Sequence, residues 1–333
     1  MFGHEKLTTP VLYLAFNRPD KTKESFGAIR AARPAKLYVA VDAPREGNDT
    51  DVLLNKQVIE IVKNIDWDCD AHYLLQEKNL GCSRSGVAAW NWVFSTEDRM
   101  IFIEDDGVPS ISFFHYCQEL LERYKDDDRV AYIGGVNYGV KYGDASYFFS
   151  RECAATYAMA TWKRVQDLYE YDMDSYEETA KKPDFIKKFI NRAAYLSYKM
   201  FFENYRRSVT TPWMQRLNTY DCQMLYLVHK YDMYSIYPNV NMVSNIGLDA
   251  GANNHVAEDS DFYKKYSRRP RFELEELVHP LSFDVNRDNE LQMFRQRSLR
   301  DAPMYVVYVR YVKYRFRQAF PQLYKLYKLL RGK

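Results

Sequence analysis

"RMIFIEDDGVP", residues 99–109, is the stretch on which the reading of this chain turns. Met100–Ile103 is a short uninterrupted apolar run, the pattern of a strand buried on both faces. Gly107 and Pro109 stop it. Between run and stop stand Glu104, Asp105 and Asp106, whose charges repel one another unless something offsets them. In open parallel sheets, ligands bind beyond the carboxyl ends of the strands. An acidic cluster at such an end suits a hard cation, Mn²⁺ or Mg²⁺, that also keeps water and phosphate oxygens as ligands. That cation would neutralise a diphosphate as a leaving group.

Working outward, the first 140 residues alternate apolar runs with helical periodicity. "PVLYLAF" (10–16), "KLYVAV" (36–41), "AHYLLQ" (71–76), "MIFI" (100–103) and "RVAYIGG" (129–135) read as strands. Helices are expected from near Asp20, around 51–65, after Gly81, and from Ser110 to about Lys125. This rhythm predicts an α/β fold, a mostly parallel central sheet flanked by helices. Farther along, a helix near 183–206, another over "DCQMLYLVHKY" (221–231), and strand with loop over 233–247 are expected.

Three loops share the carboxyl edge with the acids. "LAFNRPDKT" carries Arg18, either a phosphate ligand or a surface ion pair. "VAVDAPR" carries Asp42, either an acceptor for a base N–H or a turn residue before Pro44. "NLGCSRSG" opens a helix at Gly81, so free N–H groups and Arg84 could face anionic oxygens, against ordinary turn chemistry. The other acidic runs, Asp68-Cys69-Asp70, Asp172-Met173-Asp174 and "KDDDR", lack the strand-then-helix placement and read as solvated surface.

Composition bounds the rest. With 333 residues, 47% hydrophobic and 28% charged, the chain is of ordinary globular make-up, and a net charge of +2 gives no field for nucleic acid. The 29 Tyr, 19 Phe and 5 Trp suit cores, and also surfaces that meet sugars or lipid headgroups. Five scattered cysteines, none in a C-x-x-C spacing, fit a reduced, cytoplasmic compartment better than disulfides or a zinc site. Neither a secretory signal nor a membrane span is expected.

The ordered series "AFNRPDKT", "VAVDAPR", "NLGCSRSGVAAWNWVF", "IFIEDDGVPSISFFHYCQELL" and "RVAYIGGVN" resembles the GT-A nucleotide-sugar glycosyltransferases. The bacterial branch related to N-acetylglucosaminyltransferase I is the nearest in pattern. "TYAMATWKR" (156–164) is similar to that branch's W-G-W-A-T-W-R block, and "TYDCQMLYLV…YSIYPNVNMVSNIG" to its W-D-x-x-W…P-N-x-N-L-V-S-N-I-G block. The resemblance spans roughly residues 10–255. It implies a GT-A domain over 1–255, with a nucleotide half to about 140 and an acceptor half to about 255. Residues 256–333 form a C-terminal extension.

The resemblance also implies roles. Asp106 would ligate Mn²⁺ or Mg²⁺, with Glu104 and Asp105 supporting metal and sugar. Arg18 would contact the diphosphate of a UDP-sugar and Asp42 its uracil. Asp221 would be the general base of an inverting transfer, against a plain helix N-cap. His255, near the diphosphate, is the further metal-site candidate, against a structural role for a lone histidine. Departures fall at Tyr157, Ala158, Met159, Tyr220 and Met224, where the branch favours Trp or Gly, so the sugar cannot be carried over. Trp162 and Trp213 are either sugar-stacking rings or core.

From Arg310 to Lys333 there are eight Lys or Arg and no acid. Tyr305, Val309, Val312, Phe316 and Ala319 form a helical stripe, with Arg310, Lys313 and Arg317 on another face. Such a helix either packs its apolar side on the core or lies on an anionic membrane leaflet. The expectation is a hexosyl transferase of surface polysaccharide assembly, on the inner face of a bacterial membrane, acting on a glycan or lipid-linked glycan acceptor. A nucleotidyltransferase that makes sugar nucleotides, or a non-catalytic glycan-binding scaffold, are the alternatives.

Overall fold

Four runs become four adjacent parallel strands. Val11–Ala15, Lys36–Val41 and Arg99–Glu104 are mostly apolar and largely buried, whereas Asp70–Leu75, at the edge of the sheet, carries Asp70 and His72 and is only partly buried. In the computed structural model, which describes residues 5–211, 214–248, 265–299 and 302–323, the order opens β1 (Val11–Ala15), α1 (Pro19–Ala32), β2 (Lys36–Val41), α2 (Asp49–Lys63), β3 (Asp70–Leu75), α3 (Cys82–Val93), β4 (Arg99–Glu104). Local chemistry sets the helix starts: Pro19 at the first turn of α1, and Asn48 capping α2 by accepting from the Asp51 amide. There follow β5 (Gly107–Pro109), α4 (Ile111–Arg123), β6 (Val130–Gly134), β7 (Tyr147–Ser150) and β8 (Ala158–Trp162). Short helical turns α5 (Lys163–Gln166), α6 (Tyr176–Thr179) and α7 (Pro183–Lys187) lead to α8 (Arg192–Thr210) and α9 (Asp221–Tyr231). The chain closes with β9 (Tyr234–Pro238), β10 (Val243–Asn245), α10 (Arg287–Phe294), a π-helical turn Arg295–Leu299, and α11 (Tyr305–Ala319).

Among the described residues the central sheet has eight strands in the order β3-β2-β1-β4-β8-β6-β9-β7. The first four are parallel throughout. The second half departs from the expected parallel sheet, because β8 runs antiparallel between β4 and β6 and β7 runs antiparallel against β9. The result is a mixed α/β sheet, flanked by helices. A two-stranded ribbon, β5 against β10, stands at its carboxyl edge. The helix expected near 183–206 is divided into α7 and a longer α8 capped by Asn191, whose side chain accepts from the Ala194 amide.

Residues 265–299, placed by sequence in the extension, share the main core. Phe294 and Leu299 belong to it, and Phe283 stacks on Phe149 at 4.0 Å between ring centroids. Glu273 accepts from the Ile111 and Ser112 amides at 3.0 and 2.7 Å. It thereby caps α4 from 161 and 162 residues farther along the chain, while Ser110 makes no side-chain cap. All five cysteines are free. Among the described residues no helix is long and apolar enough to cross a membrane.

The expected stripe on α11 exists, yet it faces away from the core. Val307 and Tyr314 are buried against α8, whereas Tyr305, Val309, Val312 and Phe316 are all at least 44% exposed.

Glu290, on α10, is buried and accepts from the Arg151 amide at 2.9 Å. Burial, with Glu152 nearby, raises its pKa to about 7. A carboxyl raised in the folded state favours folding when protonated, so its contribution is lost as pH rises from the ordinary carboxylate range through about 7. Glu290→Gln keeps the acceptor and removes the titration. It is expected to raise Tm at about pH 8 and to leave it nearly unchanged at about pH 5, read by differential scanning calorimetry.

Candidate functional site

The chain reverses its winding between β1 and β4, since β2 and β3 lie on one side of β1 and β4 on the other. Crevices at such switch points are where open α/β sheets hold ligands. Arg18 leaves β1 there, and Glu104, Asp105 and Asp106 leave β4.

Arg18 spans the acids. Its Nε donates to Asp105 Oδ2 at 3.1 Å, its Nη2 to Asp105 Oδ1, and the same Nη2 to Asp106 Oδ2 at 3.2 Å. Burial works against its charge, but Asp105, Asp106 and Glu104 outweigh that and hold its pKa above the ordinary value. Burial, then Asp106, pushes the Glu104 carboxyl well up, although Tyr220 donates its hydroxyl to Oε1. Burial also raises Asp106, with Arg18 opposing. Asp106 Oδ1 is buried and has no hydrogen-bond partner among the described residues. A desolvated carboxylate oxygen without a donor is costly, and a cation is the natural remedy.

The β5–β10 ribbon forms the cradle. The Ile246 amide donates to the Asp106 carbonyl at 2.9 Å, and Lys21 Nζ donates to the Ile246 carbonyl at 2.8 Å. Gly247 lies so close that a Cβ there would come within 2.1 Å of Asp106 Oδ2 and 2.7 Å of its Cβ. Only glycine lets this backbone pass the carboxylate.

Asp42 is turned inward. Its carboxylate accepts from the Ala43, Leu80 and Gly81 amides at 3.0, 2.9 and 2.9 Å, and from Asn79 Nδ2 at 3.2 Å. Its direct contact to a base is therefore not what this geometry offers: the lone pairs already hold the loop that opens α3. That loop turns through Gly81 at φ +76°, a left-handed region suited to glycine. The expected set of free amides is mostly occupied, since Asn218 Oδ1 takes the Ser83 amide at 2.7 Å as well. Arg84 is exposed on the first turn of α3. Asn55 ties two loops together by donating to the Phe16 and Asp42 carbonyls, each at 2.8 Å.

Asp221 begins α9, but its side chain does not cap that helix; Tyr220 holds the cap position. Thr156 Oγ1 donates to Asp221 Oδ1 at 3.3 Å instead. Burial raises the Asp221 pKa, with Arg297 the main opposing charge. Burial, then Glu104, Asp221, Asp106 and Asp105, push the Cys82 thiol up, so Asp221 lies near the acid cluster although it is far from it in sequence. Arg297, from the π-helical turn, was missed by sequence reasoning. Its Nη1 donates to Tyr237 Oη at 3.2 Å and it acts on Tyr138, Tyr157 and Asp221. Only its place in a basic C-terminal third distinguished it.

Trp162 is core: it is 3% exposed and its Nε1 donates to the Leu121 carbonyl at 3.1 Å. Trp213 and His255 lie outside the described residues. Among the described residues no three His, Cys, Asp or Glu side chains converge as a metal cage. The unpartnered Asp106 Oδ1 nevertheless fits Mn²⁺ or Mg²⁺ of the kind held by one carboxylate, with water and substrate phosphates completing the shell. A cavity of about 910 Å³ lies at the opposite edge of the sheet, by Pro10, Lys36 and Arg99, and contains none of these groups.

No family profile matches the chain, and no curated protein matches its sequence. Solved structures offer only remote likeness. HddC from Yersinia pseudotuberculosis is 12% identical with a TM-score of 0.32, over 55% of this chain and 87% of that one. The same protein complexed with GMP-PN is 11% identical with a TM-score of 0.31, over 48% and 80%. UDP-glucose pyrophosphorylase complexed with UDP-glucose is 12% identical with a TM-score of 0.25, over 48% and 70%. At these TM-scores the likeness carries no argument about chemistry.

The cradle generates a direct test. Gly247→Ala must displace the Asp106 carboxylate. It is expected to abolish Mn²⁺-dependent thermal stabilisation by nucleotides, while shifting the ligand-free Tm by only a few degrees.

Proposed function

We propose that the chain is a metal-dependent, inverting glycosyltransferase that moves a hexose from a UDP-sugar to a hydroxyl of a glycan, or of a lipid-linked glycan met at an anionic membrane surface. The observation that carries this reading is the buried Oδ1 of Asp106 at the switch point, unpartnered among the described residues, with Asp221 following Tyr220, whose hydroxyl donates to Glu104. The ordered motif resemblance supports it.

In this reading Asp106 and Glu104 face the metal and sugar, and Arg18 holds the acids in register and meets the diphosphate. Asp42 serves the base indirectly, through the Asn79–Gly81 loop that it anchors. Arg84 lies on the adjoining helix turn as a second cation for phosphate. When bound to Asp106, Mn²⁺ or Mg²⁺ supplies charge neutralisation for the diphosphate. Asp221 takes the proton of the acceptor hydroxyl as that oxygen bonds to the sugar carbon. The bond from that carbon to the diphosphate oxygen breaks, and its electron pair leaves with the UDP. Thr156 orients the Asp221 carboxylate, and Arg297 favours its ionised form. His255 remains a further metal ligand in this proposal.

The test is a thermal-shift titration with Mn²⁺ and UDP, GDP and CMP compounds, on the wild type and Asp106→Asn. A ligand that binds the native state alone raises the midpoint. Stabilisation by UDP compounds that needs Mn²⁺ and vanishes in Asp106→Asn is expected; absence of any shift would overturn the reading. Transfer is then followed by release of UDP from a UDP-sugar. Pyrophosphate release from a nucleoside triphosphate would identify nucleotidyl transfer instead, and glycan binding without turnover a scaffold.

Asp221→Asn should bind nucleotide normally and lower turnover by roughly 10²–10⁴-fold, the range for losing a general base. Because burial raises its pKa, Asp221 gains its proton at higher pH than an ordinary aspartate, near 3.9. The acid limb of kcat/KM is therefore expected at higher pH than an ordinary aspartate would give, and Arg297→Met should move it higher still.

A further inference from the structure

From the outward face of α11 we infer a docking surface for an anionic phospholipid bilayer. The inference stands whether or not the chain transfers a sugar.

The helix has two apolar faces, and only one is used by the fold. Val307 and Tyr314 are buried against α8, with Tyr311 and Gln318 beside them at the same helical spacing. Arg317 Nη2 donates to Asn204 Oδ1 at 3.4 Å on the same helix. The opposite face carries Tyr305, Tyr308, Val309, Val312 and Phe316, which recur at three- and four-residue intervals and are 66%, 44%, 46%, 66% and 44% exposed. Phe320 and Leu323 continue it at 51% and 54%. At 3.6 residues per turn, Arg310, Lys313 and Arg317 fall on one flank of this stripe and Arg315 on the other. All four are exposed. A solvated surface helix does not place a run of large apolar side chains along its most exposed line.

Charge decides the occupant. No Asp or Glu occurs from residue 302 to the end of the chain. A second copy of the helix seated on this face would set cation against cation, whereas anionic headgroups meet the flanking cations while apolar side chains enter the acyl boundary. Past the Arg315 flank, on the α8 side of the helix, a cavity of about 380 Å³ opens between α6, α8 and α11. Lys181, Lys199, Arg206, Arg207 and Arg315 line it, with Glu177 and Glu203. Lys199 is paired with Glu203 at 2.5 Å and Arg206 with Asp174 at 2.8 Å. Lys181, Arg207 and Arg315 have no carboxylate within ion-pair distance among the described residues. These three cations add positive charge on the Arg315 flank of the face.

The experiment is cosedimentation of the full chain with phosphatidylglycerol-containing vesicles, against vesicles of phosphatidylcholine alone. Binding to the first and not to the second is expected. The doubly substituted V312D/F316D chain should lose it, with an unchanged Tm since both side chains are exposed. Replacing Arg310, Lys313 and Arg317 by Gln should weaken binding by about a hundredfold, the effect of three surface charges. Inorganic phosphate at millimolar level should not displace the vesicles. No binding to anionic vesicles, or binding undiminished in V312D/F316D, would overturn the inference. So would a concentration-dependent dimer that V312D/F316D makes monomeric, which would assign the face to a second copy.

Discussion

Two unit charges 4 Å apart interact by about 4 kcal/mol at an effective dielectric constant near 20, and three adjacent carboxylates at a strand end meet that repulsion while losing water. Arg18 is the internal answer. Its guanidinium reaches both oxygens of Asp105 and one of Asp106, so the loop after β1 must stop beside the loop after β4. Much of the neighbouring structure follows from holding that pairing still. Asn17 donates to Asp51 at 2.7 Å, Arg45 grips Asp51 through two nitrogens, and Asn55 joins the first two loops. Among the described residues the arrangement leaves Asp106 Oδ1 buried without a partner. Arg18 thus offsets only part of the charge, and burial still pushes Glu104 and Asp106 up.

The second half of the chain supplies what the parallel half lacks. Inserting β8 antiparallel beside β4 brings Thr156 and Tyr157 to the carboxyl edge, and the Glu104 amide donates to the Tyr157 carbonyl at 3.0 Å. Tyr220 then closes on Glu104 while its ring packs on Trp90 at 5.1 Å between centroids. A tyrosine at this position is more than a smaller aromatic, because its hydroxyl reaches a carboxylate that an indole would meet differently. Arg297 approaches from the far end of the chain and sets the electrostatics of Asp221. Residues 265–299 thus share the main core with the sheet that bears the acids, while the tail helix packs on α8.

Much of this was legible in the sequence because it is local. The strands β1, β2 and β4 hold unbroken apolar runs and β3 a shorter one, and the helices between them show 3.6-residue periodicity, so element type and order follow from side-chain chemistry alone. The acid cluster was legible for the same reason: residues 104–106 are adjacent, and a strand end is their only sensible location. The apolar stripe on α11 was equally visible as a spacing. Asp221 was visible only through the motif around it.

Tertiary structure alone decided the rest, because the deciding partners are far apart in sequence. Nothing local tells that Glu273 caps α4, that Asn218 and Asp42 occupy the amides before α3, or that Gly247 must lack a Cβ to pass Asp106. Nor could spacing choose between the two apolar faces of α11, since both obey the same period; the groove of α8 accepts Val307 and Tyr314 and leaves the other face to solvent. The sequence by itself determined which elements form and where the carboxylates gather, since both depend on neighbours along the chain. The structure determined which of those groups are already satisfied and which remain open, since desolvation and charge compensation depend on neighbours in space.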